Sequence, residues 1–193
     1  MVKFPIPEPS VLKHKVPLSS EEIILIFNGL FFSRYNIRLE GGANEPIYLP
    51  SNSDCKTNRL IFCNNYVSSA LHEVAHWCLA GDERLKMIDY GYWYNSDGRS
   101  NIAQKKFEEV EVKPQALEWI FSIASNNIFH VSVDNLDGDR EPSWYFSKAI
   151  SDQAHTWCIE SLPNRALLFV NTLVCYTGIN PFDSSLYQFC SEQ

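Results

Sequence analysis

Apolar side chains recur along this chain in two rhythms, one at intervals of three to four residues and one in short runs fenced by Pro, Asn and Ser. The first predicts helices and the second brief strands. Ile23, Ile24, Ile26, Phe27, Leu30 and Phe31 follow at helical spacing behind Ser19-Ser20-Glu21-Glu22, whose S-x-x-E pattern is that of a capping box. A first helix is therefore expected through about residue 33. "EPIYLP" (45–50) and "NRLIFC" (58–63) read as short strands. A second helix is expected from Asn65 to Gly81, the glycine closing it in the left-handed conformation. "YGYWYNSDGRSN" reads as an extended segment running into a loop, positioned to wall a cleft. "KFEEVEVKPQALEWIFSIAS" is helical in period, with Pro114 expected either in its first turn or at a kink. After the acidic turn "DNLDGDREPSW", residues 144–160 and 163–176 have helical period, and Pro163 is suited to starting the second of these helices.

Ahead of this pattern, "MVKFPIPEPSVLKHKVPLSS" holds four prolines and no continuous apolar core of the kind a secretory signal requires. Residues 1–18 are expected to be an extended arm and residues 19–193 a single domain. The fold class expected is α+β, predominantly helical with a small sheet. No internal repeat, low-complexity tract or linker interrupts it.

Composition narrows the function classes. A chain of 193 residues with 45% hydrophobic and 20% charged residues has the make-up of an ordinary folded domain. The formal charge of −7 and pI near 5.2 leave no broad basic face to neutralise a phosphate backbone, so direct nucleic-acid binding is not expected. No uncharged apolar run is long enough to span a bilayer, and a soluble, cytoplasmic protein is expected. Cysteines 55, 63, 78, 158, 175 and 190 form no C-x-x-C pair, so they are expected to be reduced, mostly buried thiols.

The chemistry is concentrated in "SSALHEVAHWCLAG" (68–81). On a helix, residues four apart share a face, so His72 and His76 can offer two imidazoles to one divalent metal, with Glu73 beside it. In a hydrolytic site such a glutamate takes a proton from metal-bound water and passes it on. Apolar residues surround the pair on this helix, and buried imidazoles need partners. A third ligand is available from Glu108, Glu109 and Glu111. Glu111 begins "EVKPQALEW", where apolar spacing turns the helix toward the core, and is the expected ligand; Glu108, one turn earlier, is the alternative. His130 and His155 lack a local spacing that favours ligation. Asp134, Asp137, Asp139 and Glu141 suit a polar turn, or a rim attracting a cationic substrate. Tyr92, Trp93 and Tyr94 suit a core better than a binding site. Two histidines and a carboxylate fit zinc hydrolysis and also non-haem iron that binds oxygen, and the spacing by itself favours a zinc metallopeptidase. A binding module retaining a structural metal is the third reading.

Six segments in order, "EPIYLP", "NRLIF", "SALHEVAHWCLAG", "DYGYWYNSDGR", "FEEVEVKPQALEW" and "DNLDGD", strongly resemble the elongation factor P hydroxylase family of bacteria. The similarity runs from about residue 20 to 150 and leaves out the arm and the tail after about 178. The resemblance implies a cytosolic non-haem metal monooxygenase that hydroxylates a lysine of elongation factor P carrying a β-lysyl group. It implies Fe(II) or another divalent metal, held by His72, His76 and Glu111, with molecular oxygen as cosubstrate. It also implies a metallopeptidase-like scaffold rather than the double-stranded β-helix of most such oxygenases, whose many strands this chain lacks. In that setting Glu73 would position water or manage protons, and Asp134 and Asp139 would receive the cationic lysyl-lysine side chain. No G-x-G-x-x-G loop for a dinucleotide reductant is present.

Overall fold

A computed structural model of the chain describes residues 16–90, 101–133 and 142–189. Its elements, in chain order, are α1 (Ser20–Tyr35), β1 (Ile37–Ala43), β2 (Ile47–Leu49), β3 (Asn58–Cys63), α2 (Val67–Leu79), α3 (Asn101–Ala124), α4 (Trp144–Ile159) and α5 (Asn164–Thr177), with 3-10 turns at Arg84–Lys86 and Ser184–Tyr187. The fold is α+β, mostly helical, with one small sheet. β3 is its central strand, parallel to β1 and antiparallel to β2. The expected capping box forms: Ser19 Oγ accepts from the Glu22 N–H at 3.3 Å, and Glu22 Oε2 accepts from the Ser19 N–H at 2.8 Å. α1 closes at Asn36 in the left-handed conformation, and β1 follows at once. The side chain of Asn28, buried in α1, donates to the Leu39 carbonyl and accepts its N–H, which ties helix to strand.

β1 is absent from the sequence reading because its second half, Glu40-Gly41-Gly42-Ala43, breaks the apolar alternation. That break is a bulge: the register with β3 shifts between Glu40 and Ala43, and Gly42 has φ +96°. A Cβ on Gly41 would come within 2.7 Å of Asn65 Oδ1 and 3.0 Å of the Asn64 carbonyl, so only glycine lets β1 lie against the β3–α2 turn.

Three further expectations are corrected. α2 spans Val67–Leu79, and its cap is Ala80 in extended conformation, so Gly81 does not close it in the left-handed region. α3 begins at Asn101, so Pro114 lies inside the helix, which excludes the first-turn placement and leaves the kink as the other expectation. The loss of one backbone bond is tolerated where Pro114, Gln115, Ala116 and Leu117 are all buried. All five described cysteines are unpaired, as expected, but only Cys78 is buried. The segment containing Tyr92, Trp93 and Tyr94 and the acidic cluster Asp134, Asp137, Asp139 and Glu141 lie outside the described residues.

The core is one apolar cluster drawn from all five helices and the sheet. α2 packs against α3 and β3, and less extensively against α1 and α5. Its anchor is Trp77, which meets Phe27, Phe31 and Tyr35 edge-on at 5.2, 4.8 and 5.5 Å. The residue next to His76 is thereby locked into the aromatic centre of the molecule. Among the described residues no helix is long and apolar enough to cross a membrane.

Candidate metal centre

α2 leaves the sheet through Asn64, which has positive φ, and its first turn is pinned where the Ser69 hydroxyl accepts from the Cys63 N–H at 3.0 Å. Ala70, Leu71, Val74, Ala75, Trp77 and Cys78 are buried around the helix. His72 and His76 project on the face toward α3 with their Nε2 atoms 3.0 Å apart. Glu111 of α3 completes the group, its Oε2 lying 3.5 Å from His72 Nε2 and its Oε1 3.3 Å from His76 Nε2. One ligand atom from each residue lies within 4.8 Å of the others, a spacing suited to a common ion. Glu108 stands elsewhere, accepting from Ser143 Oγ at 3.1 Å. His130 is exposed, and His155 contacts the Ser184 carbonyl at 2.8 Å, so neither approaches the group.

The chemistry of this donor set fits a divalent cation. Two imidazole nitrogens face each other at hydrogen-bond distance, and Glu111 is only 3% exposed while its buried Oε2 has no hydrogen-bond partner. A buried carboxylate oxygen without a donor is costly, and a metal would satisfy it together with both nitrogens. His72 Nδ1 lies 2.8 Å from Glu118 Oε2. With Nδ1–H donated to Glu118, the other ring nitrogen, Nε2, is directed at Glu111 and His76, which is the carboxylate–histidine arrangement that fixes the ring of a metal ligand. Glu118 is not identifiable from the H-E-x-x-H spacing. Its signal is helical phase: it lies two turns beyond Glu111, on the same face, inside an otherwise apolar run.

The ionisation states follow from the same contacts. Burial opposes charge on His72, but the hydrogen bond and charge of Glu118, with Glu111 and Glu73, outweigh it and hold its pKa up to about 10. Burial also opposes charge on Glu111, yet His76, His72 and Arg84 keep it below its ordinary value. Glu73 behaves differently. Its burial raises its pKa more than His72 and His76 lower it, and Glu111 and Asp89 add to the rise. Two carboxylates of one centre thus separate into a group held charged and a group inclined to carry a proton.

Glu73 and His76 also line a narrow cleft, together with Tyr48, Trp77, Arg84 and Asp89. A buried anionic ligand, two imidazoles and a proton-accepting carboxylate at the base of a cleft can hold an electrophilic metal and move protons beside it.

Comparison with known proteins identifies the family. Residues 26–187 match the family model described as elongation factor P hydroxylase, a match that extends past residue 150, where the recognised segments end. The "Elongation factor P lysine hydroxylase" of Haemophilus influenzae is 46% identical over 165 residues, covering 86% of this chain and 90% of that protein. At this coverage and identity, the chain belongs to the elongation factor P hydroxylase family.

Proposed function

We propose that this protein is a non-haem, metal-dependent monooxygenase that hydroxylates the β-lysylated lysine of elongation factor P. The observation that carries the reading is the convergence of His72 Nε2, His76 Nε2 and an unpartnered Glu111 oxygen beneath a cleft, in a chain of this family. These three residues would hold Fe(II) or a similar divalent ion, and such an ion with open coordination positions supplies oxygen activation. The residues of the chain do the rest. Glu118 holds the His72 ring in orientation, and Trp77 anchors α2 against α1. Glu73, inclined to carry a proton, exchanges it at the cleft floor. The side chain to be hydroxylated would enter by the cleft, and the acidic residues Asp134 and Asp139 would meet its ammonium groups.

The reaction balances as oxygen, two electrons and two protons consumed for one C–OH and one water formed. It is tested by purifying the protein without oxygen, loading it with Fe(II), and following the intact mass of β-lysylated elongation factor P with a chemical reductant. A gain of one oxygen atom that requires both metal and oxygen is the expected result. Release of peptide fragments without oxygen would replace the reading by a zinc metallopeptidase of the H-E-x-x-H type, and binding without turnover would replace it by a metal-bearing binding module.

A further inference from the structure

The sheet turns one face to the helices and the other away from them. Ile37 and Leu39 of β1, Tyr48 of β2 and Leu60 and Phe62 of β3 are buried on the helical side, where α1 packs on β1 and α2 on β3. Side chains alternate along a strand, so the residues between these point to the opposite face. The register sets them in two rows: Glu40, Ile61 and Ile47 stand side by side in one, and Arg38, Arg59 and Leu49 in the other. The segment that follows α2 lengthens both rows. Asp89 bridges Tyr48 in antiparallel sense and lines the cleft with it, which turns Ile88 and Tyr90 to the open face, Ile88 beside Leu49 and Tyr90 beside Ile47.

The open face of a sheet ordinarily carries polar residues. This one does so only at its β1 end. From β3 outward it is apolar: Ile61, Ile47 and Leu49 are half-buried yet belong neither to the core nor to the residues packed against it, and Ile88 and Tyr90 are 58% and 48% exposed. Contiguous apolar residues at a surface mark an interaction site. The charged end sets two guanidinium groups beside one carboxylate, with Arg59 4.0 Å from Glu40 and Arg38 4.8 Å over the Phe32 ring. Like charges directly across two strands repel, so the Arg38–Arg59 pairing favours an anionic neighbour, in a chain whose own net charge is −7.

Charge also separates the possible occupants. Residues 1–15 hold Lys3, Lys13 and Lys15 against Glu8, so that segment does not complement the arginines. A two-fold contact between copies sets the arginine end against itself or against the apolar end, and neither compensates it. A different protein with an apolar patch bordered by carboxylates matches both ends. Because Ile88 and Tyr90 flank the cleft-lining Asp89, a protein seated here borders the cleft around the edge of the sheet.

We propose that the open face of the sheet, from Arg59 across to Ile88 and Tyr90, is the docking surface for elongation factor P, which meets it with an apolar patch bordered by carboxylates. The inference rests on the hydroxylase reading above, and it names the surface that holds the protein substrate of that reaction.

The test uses the full chain loaded with metal and kept free of oxygen, as wild type, Ile88→Asp and Arg59→Gln. Affinity for β-lysylated elongation factor P is measured by calorimetry over a salt series, with metal content, melting temperature and oligomeric state determined on the same samples. Ile88→Asp should lower the affinity by about tenfold or more. Arg59→Gln should flatten its salt dependence. Both should keep the metal and the melting temperature of wild type. A wild type without affinity, or an affinity unchanged in Ile88→Asp, would overturn the proposal. A lower melting temperature would assign the face to packing within the chain, and a wild-type dimer that Ile88→Asp dissociates would assign it to a second copy. Unaltered salt dependence in Arg59→Gln would overturn the carboxylate border. Admitting oxygen and reductant separates this inference from the reading beneath it. Binding through this face without hydroxylation in wild type removes the hydroxylase and leaves the surface, whereas hydroxylation with unchanged affinity in both variants removes the surface and leaves the hydroxylase.

Discussion

His72 is engaged at both ring nitrogens, and this decides how a metal competes with a proton there. Because its pKa in the folded protein, about 10, exceeds the ordinary value of 6.5, its contribution to metal-free stability is fully present below pH 6.5 and is lost as pH rises toward 10. Ligation needs the unprotonated Nε2, so metal affinity should move the other way, rising about tenfold per pH unit for one displaced proton and levelling off near pH 10. Metal titrations from pH 6 to 9 in buffers of different ionisation enthalpy count the released proton. In Glu118→Gln the negative charge is gone, and the affinity should level off at lower pH; a curve matching wild type would show that Glu118 does not hold the ring. Glu73→Gln should behave differently, retaining metal but losing turnover by about 10²-fold or more, as expected for a lost proton-transfer group, and metal analysis beside a turnover assay checks it. At this scale His72, Glu73 and His76 were legible because a four-residue spacing is itself a statement about one helix face. Glu118 was hidden, since a glutamate in "QALEW" reads as a surface residue until the phase set by Glu111 turns it inward. Arg84 and Asp89 carried no spacing signal, because only the bridge to Tyr48 brings them to the cleft.

Elements were legible where one period governed a whole segment, as in α1, α4 and α5. α3 shows the limit. Its buried face toward α2 carries Glu111, Gln115 and Glu118, so the polar residues that make the site interrupt the apolar pattern that would reveal the helix, and Pro114 on the same face adds a breaker signal. Gln115 answers its own burial through Ser132, donating to its carbonyl at 2.7 Å and accepting its N–H at 3.0 Å. The end of α2 depends on a residue far away in sequence. Without a glycine or a side-chain cap of its own, its last carbonyls are met by Arg165 of α5, which donates to the carbonyls of Cys78, at 3.3 Å, and Ala80. The same guanidinium lies 4.7 Å from the Trp77 ring centroid. A cation at a helix C-terminus is favourable, and a hydrogen bond from a charged donor contributes about 1.5–3 kcal/mol. Arg165→Met should therefore lower the melting temperature by roughly 3–12 °C for a protein of this size, at 2–4 °C per kcal/mol. Metal affinity should weaken with it, since α2 carries two of the three proposed ligands. Calorimetric melting and metal titration of the variant check both. A variant that melts as wild type does would show that the cap contributes nothing to α2.

At the scale of the whole molecule, the centre joins α2 to α3 through buried polar residues, so a metal held there would act as a cross-link inside the core. Without it, Glu73, Glu111 and Glu118 are gathered within one interior, at 5, 3 and 6% exposure, with His72 the group held charged among them. A divalent ion supplies two positive charges and satisfies the stranded oxygen of Glu111. Anything that binds the folded chain and not the unfolded one stabilises it by mass action, about 2.7 kcal/mol when free metal is at a hundred times its dissociation constant. For a chain of 193 residues that converts to a rise in melting temperature of roughly 5–10 °C. Fe(II) added without oxygen, or Co(II) as an oxygen-tolerant substitute, should produce this rise, and a chelator should reverse it. Glu111→Ala should melt without any response to either ion, whereas Glu108→Ala, which loses only its contacts to Ser143 and Gln104, should respond as wild type does. The reverse pattern, with Glu108→Ala unresponsive and Glu111→Ala stabilised, would move the third ligand one turn along α3. A metal response unchanged in both variants would mean that α3 contributes no ligand, and that the cross-link between the two helices is made by side-chain packing alone.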